Sequence, residues 1–402
     1  MKALNDYPRR VLLIACGMTP QVVTETLYGL RVASAAPFLV NEVKILTTTE
    51  GRDRVAGALL EGGHFEGLCL EHHIRDVHFS DADILVLRDA SGQALKDIRT
   101  PEENAAAADS IAEVVRSLTS CDDVSLHVSL AGGRKTMSYY IGTALSFYGR
   151  AQDRLSHVLV SEGYETHPEF FYPTREPRFI ATKGGQSLDT SQAKVTLAEI
   201  PFVRLRHTLP EHLLLEQTSF GEAVRWSNLD TNPPTLVIDM HKGQLIASGE
   251  PVAMDLKLLA FYAGFARRAA QGNSPIEVGD RHSLPLSESF MEEFAKLRGI
   301  DAASLEDLDR LYDVLSDEGI HPKTLRSLES GVNRKYLRPI VTGINNALDA
   351  SLGSRVGHLY HVRFHGSDKE KGGGVSRYGL GLEAEKITLL DQRGMGSEGE
   401  VT

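Results

Sequence analysis

Residues Val11 to Leu27 read VLLIACGMTPQVVTETL. Val11 to Ala15 form an almost continuous apolar run, and from Gln21 onward Val22, Val23, Thr26, Leu27 and Leu30 recur at three and four, the spacing of one helix face. The stretch predicts a strand, a tight turn through Cys16-Gly17-Met18-Thr19-Pro20, and a helix. In an open parallel sheet such a first turn lies at the carboxyl end of the strand, where ligands bind and free backbone N–H groups favour phosphate. Pro20 suits the first helical turn, where its missing N–H would have no partner. One Gly precedes the helix where the dinucleotide fingerprint has three, so a nucleotide ligand stays open and an ordinary nicotinamide dehydrogenase does not fit.

The pattern repeats outward from there. Glu42 to Thr47 reads as a second strand ending in Thr48-Thr49-Glu50-Gly51, followed by a helix. Asp83 to Ile98 reads as two short strands around Ala90-Ser91-Gly92. Thr100-Pro101-Glu102-Glu103 has the form of a capping box opening a helix to Leu118. Val124 to Leu130 is a strand, and Ala131-Gly132-Gly133-Arg134-Lys135-Thr136-Met137-Ser138 turns into a helix through Phe147. Paired glycines let the backbone approach a ligand closely. Arg134 and Lys135 place two cations at a helix start, where the dipole disfavours them, so either an anionic ligand neutralises them or the turn is simply solvated. Leu155 to Ser161 is a further strand. His167-Pro168-Glu169-Phe170-Phe171-Tyr172-Pro173 reads equally as packing on the sheet and as a base-stacking wall or dimer contact. Strands alternating with helices predict a doubly wound sheet ending near residue 185, with a loop over Lys183 to Lys194.

At 402 residues the chain has room for two domains with proper cores. The formal charge is -11, which excludes a basic nucleic-acid coat, but it is uneven. Ile320 to Leu390 carries eleven Lys and Arg against six Asp and Glu, a net +5, leaving -16 elsewhere. A positive end on a negative body suggests that only that end meets a polyanion. Cys16, Cys69 and Cys121 are odd in number and lack metal spacing, which reads as a reducing cytoplasm. No membrane-length apolar run or signal-peptide core is visible, so no membrane partner is expected. His64, His72, His73 and His78 lack fixed spacing or partner cysteines and read as surface or loop histidines, not a metal site.

The second half changes character. Val195 to Arg206 is strand-like, Glu211 to Trp226 helical, and Asn228 to Pro234 a linker. Strands at Leu236–Asp239 and Gln244–Ala247 precede helices at Met254–Ala270, Leu286–Arg298, Leu305–Asp317 and Asn333–Leu352, then strands at His358–Phe364 and Ser376–Leu382. Pro339 either kinks the last helix or marks its start. Hairpin, helices, basic helix and terminal hairpin is the order of a winged helix-turn-helix, whose basic helix enters a major groove while the wing touches phosphate. Over residues 235–390 the chain resembles the output domain of two-component response regulators, notably at Arg377-Tyr378-Gly379-Leu380. The resemblance implies a double-stranded DNA contact through Arg334, Lys335, Arg338, Lys369, Lys371 and Arg377; winged helices also serve as protein-binding modules.

Gly17-Met18-Thr19-Pro20-Gln21 together with Gly132-Gly133-Arg134-Lys135-Thr136-Met137 resembles the CRISPR-associated Rossmann-fold (CARF) family, over about residues 9–185 and within its ring-nuclease group. The family's second motif is typically Gly-Gly-Thr-Lys, and Arg134 replaces the Thr. The resemblance implies an α/β fold with a doubly wound, mainly parallel Rossmann-like sheet (1–185), a connector (186–232), an α+β winged helix-turn-helix domain (233–392) and a flexible tail (393–402). It also implies a homodimer of type III CRISPR systems that binds a cyclic oligoadenylate, cyclic tetra-adenylate foremost, across a two-fold axis, with no cofactor and no metal. Gly17, Met18, Pro20, Gln21, Thr48, Gly132, Gly133, Thr136 and Met137 then form the ligand site.

In such a ring each ribose 2′-hydroxyl stands beside its own 3′-phosphate, so scission needs in-line alignment and stabilised oxygens. Lys135 is the candidate cation, Arg134 a second phosphate clamp, and Thr19 a group that orients the hydroxyl or binds phosphate. A sensor controlling transcription without turnover uses the same residues. A ligand-activated ribonuclease is a third reading, from Arg355 and His361, which fall beside a strand. Ser138 with His127 or His157 lacks a nucleophile elbow, which leaves core or cap roles.

Overall fold

The computed structural model describes residues 2–165, 167–182, 184–215, 218–229, 233–281, 283–299, 313, 322–370 and 373–391. One unit comprises Met1–Arg206 with Leu213–Arg225, the other His207–His212 with Trp226–Thr402.

In the first unit, β1 (Arg9–Ala15) has β2 (Glu42–Thr47) on one side and β4 (Val124–Ser129) on the other, both parallel. β3 (Ile84–Val86) extends the sheet beyond β2, and β5 (Arg154–Val160) extends it beyond β4, again in parallel. A separate hairpin of β6 (Phe179–Ala181) and β7 (Ser187–Asp189) follows, and β8 (Val195–Glu199) closes the main sheet antiparallel to β5. The order is β3-β2-β1-β4-β5-β8, an α/β sheet that is mostly parallel. Val11 to Ala15 are all fully buried, as a strand with elements on both faces requires. Leu12 and Ile14 pack with residues of α1 (Gln21–Tyr28), α2 (Thr49–Val55) and α3 (His64–Glu71). Val11 and Leu13 alternate with them and so face the other way. α4 (Pro101–Ser120) and α5 (Lys135–Tyr148) pack together, and α5 also meets β1 and β4.

The capping box holds: the Glu103 amide donates to Thr100 Oγ1 at 3.2 Å, and the Thr100 amide donates to a Glu103 carboxylate oxygen at 3.0 Å. Four local readings change. The sheet does not end near 185, because β8 joins it. Lys183 to Lys194 is not all loop, because β7 lies within it. Of the two strands around Ser91-Gly92, the first is the parallel β3 and the return is the single bridge Arg88–Ala94. Phe170, Phe171 and Tyr172 are buried, Phe171 stacked on His64 at 3.5 Å, so this segment is sheet packing.

Glu211 to Trp226 is two helices, α6 (Glu211–Leu215) and α7 (Phe220–Ser227). In the second unit β9 (Leu236–Asp239), β10 (Gln244–Ala247) and β11 (Glu250–Val252) form an antiparallel run completed by a parallel C-terminal strand, Ile387–Leu390. α8 (Leu256–Ala270) packs on α9 (Leu284–Leu297) through stacked Phe261 and Phe290 rings, with β12 (Ile276–Val278) between them in sequence. α10 (Pro322–Glu329) and α11 (Arg334–Tyr360) follow, then β13 (Val362–Glu370) and β14 (Gly373–Leu380), which pair with each other while β14 pairs with β12. α11 starts at Arg334, capped by Asn333, and Pro339 lies inside it; its break is at Gly353, where φ is +73°. It runs past Leu352 to Tyr360, so Arg355 and His358 are helical rather than beside or in a strand. The helix read at Leu305–Asp317, the linker core at 230–232, Lys371 and the tail lie outside the described residues, apart from Asp313. Among the described residues no helix is long and apolar enough to cross a membrane.

The buried Arg150–Asp153 pair ties the starts of β4 and β5 together. Asp153, with a side chain 0% exposed, accepts from Arg150 at 3.0 Å and from the Leu126 amide at 3.1 Å; Arg150 also donates to the Cys121 and Val124 carbonyls. Asp153→Ala leaves that guanidinium partly unpaired in the interior, so the first unit is expected to lose about 3–5 kcal/mol in urea unfolding followed by hydrogen exchange of β4 amides.

Candidate functional site

The strand order reverses between β1 and β4, which is where an open parallel sheet leaves a crevice at its carboxyl edge. A cavity of about 590 Å³ occupies that place. The turn after β1 contributes Cys16, Gly17, Met18 and Thr19, and the turn after β4 contributes Ala131, Gly132, Gly133 and Arg134. Val22 and Glu25 enter from α1, Met137 from α5, Thr48 and Glu50 from the start of α2. His157, Val158 and Val160 of β5, Glu165, and the pair Asp97 and Arg99 close the lining.

The glycines are explained first by each other. A Cβ on Gly17 would sit 3.1 Å from Gly133 Cα, and one on Gly132 would sit 2.7 Å from the Ala15 carbonyl oxygen. Gly133 has φ of +82°, open to glycine at no steric cost. Ser138 Oγ donates to the Leu130 and Gly132 carbonyls, both at 3.2 Å, which holds the second turn and gives this serine a structural use.

The charge pattern differs from the sequence reading. Arg134 is neutralised from within the chain: its Nε donates to Asp97 at 2.7 Å, and Arg99 Nε donates to the same carboxylate at 2.7 Å. The two guanidinium groups hold the Asp97 carboxyl well below the usual carboxylate range. Lys135 is the first residue of α5 and is exposed, outside the cavity lining, as is Thr136. Pro20 and Gln21 also stand apart from the lining; Gln21 donates to the Pro168 carbonyl at 3.1 Å. Gly17, Met18, Thr19, Thr48, Gly132, Gly133, Arg134 and Met137 are brought together.

Sequence reasoning missed Glu25, Glu50, Glu165, Asp97, Arg99 and the lining role of His157. Glu25 is 6% exposed, and burial, then the nearby Glu165 carboxylate, push its carboxyl up to about 8. A usable signal existed: Glu25 falls three residues after Val22 on the buried face of α1, an acid where the helical pattern calls for an apolar residue. His127 is buried against Ser156 Oγ at 2.7 Å and belongs to the core.

The family model for CRISPR-associated protein NE0113 (Cas_NE0113) matches residues 19–228. The chain belongs to this family. No curated protein matches the chain. In this NE0113-family chain the matched segment begins at Thr19, inside the first turn, and takes in the second turn, the Asp97–Arg99 strap and Glu25. The family match supports a role in a CRISPR system.

Because backbone meets backbone at the two turns, Gly132→Ala is expected to lower stability by about 1–3 kcal/mol. Gly57→Ala, in a helical turn where a Cβ meets nothing within 4 Å, is the control and should be neutral or slightly stabilising in the same urea titration.

Proposed function

We propose that this CRISPR-associated protein acts as a homodimer whose cavity binds a cyclic oligoadenylate, cyclic tetra-adenylate foremost, and cleaves it by attack of a ribose 2′-hydroxyl on the adjacent phosphate. The first unit then has the Rossmann-like topology of a CARF domain. The observation that carries the reading is the meeting of the turns after β1 and β4 at the switch point of the sheet. The helices that start there, α1 and α5, have no side-chain cap, whereas Thr48 and Thr100 cap α2 and α4. Uncapped helix starts offer amides and dipole to an anion.

The chain's own groups would do the following. The turns bend the ring so that one 2′-oxygen stands in line with the leaving 5′-oxygen, a constraint worth several kcal/mol. Thr19 orients that hydroxyl. Lys135, one residue beyond Arg134, meets the part of the ring shared by two copies and stabilises charge on the non-bridging oxygens. Arg134 binds a second phosphate in competition with Asp97, so the pair works as a clamp that the ligand opens. The 2′-hydroxyl is an internal nucleophile, so the products are linear with 2′,3′-cyclic phosphate ends.

A second reading rests on the other unit, which we read as a winged helix-turn-helix with α11 as recognition helix and β13–β14 as wing. There Lys335, Arg338, Phe364 and Tyr378 line an open cleft of about 960 Å³. Lys335 and Arg338 are exposed, while Arg334 pairs with Asp280 at 2.7 Å and Arg377 with Glu277 at 2.9 Å. Ligand-controlled binding of double-stranded DNA through this face suits a regulator without turnover. For the ribonuclease reading, Arg355 lies on α11 and His361 follows its last residue, bonded to Asp349 at 2.8 Å.

Incubation of the purified chain with cyclic tetra-adenylate in EDTA should yield linear cyclic-phosphate products, lost in Lys135→Ala; unchanged ligand at protein excess defeats the cleavage reading. Asp97→Asn releases Arg134 and should tighten ligand binding while steepening its salt dependence. If the DNA reading holds, Lys335→Ala and Arg338→Ala each weaken a promoter-fragment shift and lower the slope of log affinity against log salt by about 1.

A further inference from the structure

Glu25 is a buried acid on the wall of the cavity. It is 6% exposed, lines the cavity, and has no hydrogen-bond or ion-pair partner among the described residues. A buried carboxyl without a partner costs free energy that a bound group can recover. We propose that Glu25 is a specificity-determining residue of this cavity that reads the Watson–Crick edge of an adenine, its carboxyl O–H donating to N1 and its carbonyl oxygen accepting from the exocyclic amine. The proposal rests on the cyclic-oligoadenylate reading and names the group that recognises the base.

The surroundings select a base over the other parts of a nucleotide. Cys16, Val22, Met137, Val158 and Val160 share the cavity with Glu25, an uncharged wall suited to the face of a ring. Phosphate is disfavoured beside Glu25, because Glu165 is close enough to raise its proton affinity. A ribose hydroxyl offers one point of contact where the adenine edge offers a matched acceptor and donor. The protonation state chooses between purines: a neutral acid pairs with the acceptor and donor of adenine, and a carboxylate pairs with the two donors of guanine, N1–H and the N2 amine.

Near neutral pH the acid is mainly neutral, since burial and Glu165 raise it to about 8. The other titratable groups around it do not offer a cation in contact. β5 presents His157 to the cavity, the residue after β1 is Cys16, whose buried thiol is pushed up to about 12, and the residue after α3 is His72, edge-on to Tyr28 of α1. On β8, Glu199 lies 3.6 Å from Arg154 of β5. Across the cavity Arg134 and Arg99 are engaged with Asp97, and Glu50 adds negative charge. Only the protonated form makes the adenine pair, so ligand binding stabilises it, and affinity should fall as pH rises past about 8.

The test is a set of affinity titrations on the purified protein between pH 6.5 and 9.5, with cyclic tetra-adenylate and its guanine-substituted ring as probes. The wild type should bind the adenine ring more tightly at pH 6.5 and weaken about tenfold per pH unit above the titration. Glu25→Gln, which offers a permanent donor and acceptor, should bind within about threefold of wild type at pH 7 and lose the pH dependence. Glu25→Met, similar in length and unable to hydrogen-bond, should weaken binding by 10-fold or more. Wild-type affinity that is flat across this range, or Glu25→Met binding as tightly as wild type, overturns the assignment while leaving the ligand reading intact. Failure of the wild type to bind cyclic tetra-adenylate at any pH overturns both. If Glu25→Met does not fold, the contrast between the pH profiles of wild type and Glu25→Gln decides by itself.

Discussion

Two main-chain turns in van der Waals contact are the constraint on which the first unit's site depends. Gly17 and Gly133 approach so closely that a Cβ on the former would stand 3.1 Å from the Cα of the latter, and Gly132 lies under the last carbonyl of β1. The cavity exists because this contact joins the ends of two neighbouring parallel strands and leaves the space above them open. Glycine here is therefore required by the protein's own backbone before any ligand is considered. A close approach to ligand is a second consequence of the same absence of side chains.

The electrostatics of the site are balanced rather than simply positive. Two arginines converge on Asp97, and Glu25, Glu50 and Glu165 line the same space. A polyanion entering it must meet donors that are already committed and acids that repel it, unless those acids are neutral. Desolvation of Glu25 addresses part of that conflict by favouring the uncharged form at neutral pH. Under the proposed function the pairing of Arg134 with Asp97 competes with phosphate, and the α1 acid faces the base. The proposed clamp and base recognition thus use separate parts of one cavity, and Lys135 stands outside its lining.

The second unit follows a different logic. Of the eleven cations between residues 320 and 390, seven sit on α11 and on β13 and β14, and two of these are matched by acids on or beside β12: Arg334 with Asp280, Arg377 with Glu277. Lys335 and Arg338 are exposed cations on the cleft, beside Phe364, which is 58% exposed, and Asp280. A linear count of +5 over this segment therefore overstates what the folded surface offers, because neutralising partners such as Glu277 and Asp280 come from outside it in sequence.

Local pattern determined a good part of this protein. The apolar run of β1, the period of α1, the Thr100–Glu103 box, the glycine turn before α5 and the α9 and α11 helices are all written in neighbouring residues, because strand burial, helix period and capping act over a few positions. Where pairing joins distant segments the pattern was silent: β8 is an edge strand of the main sheet although it follows a glycine- and serine-rich stretch, and β6 and β7 pair across residues that read as loop. The functional cavity divides the same way. Its two turns were legible as turns, but the Arg134–Asp97 pair spans 37 residues, and Glu25 meets Glu165 only because α1 is folded against β5. Charge neutralisation and desolvation depend on what lies nearby in space, and that distance is set by the sheet order alone.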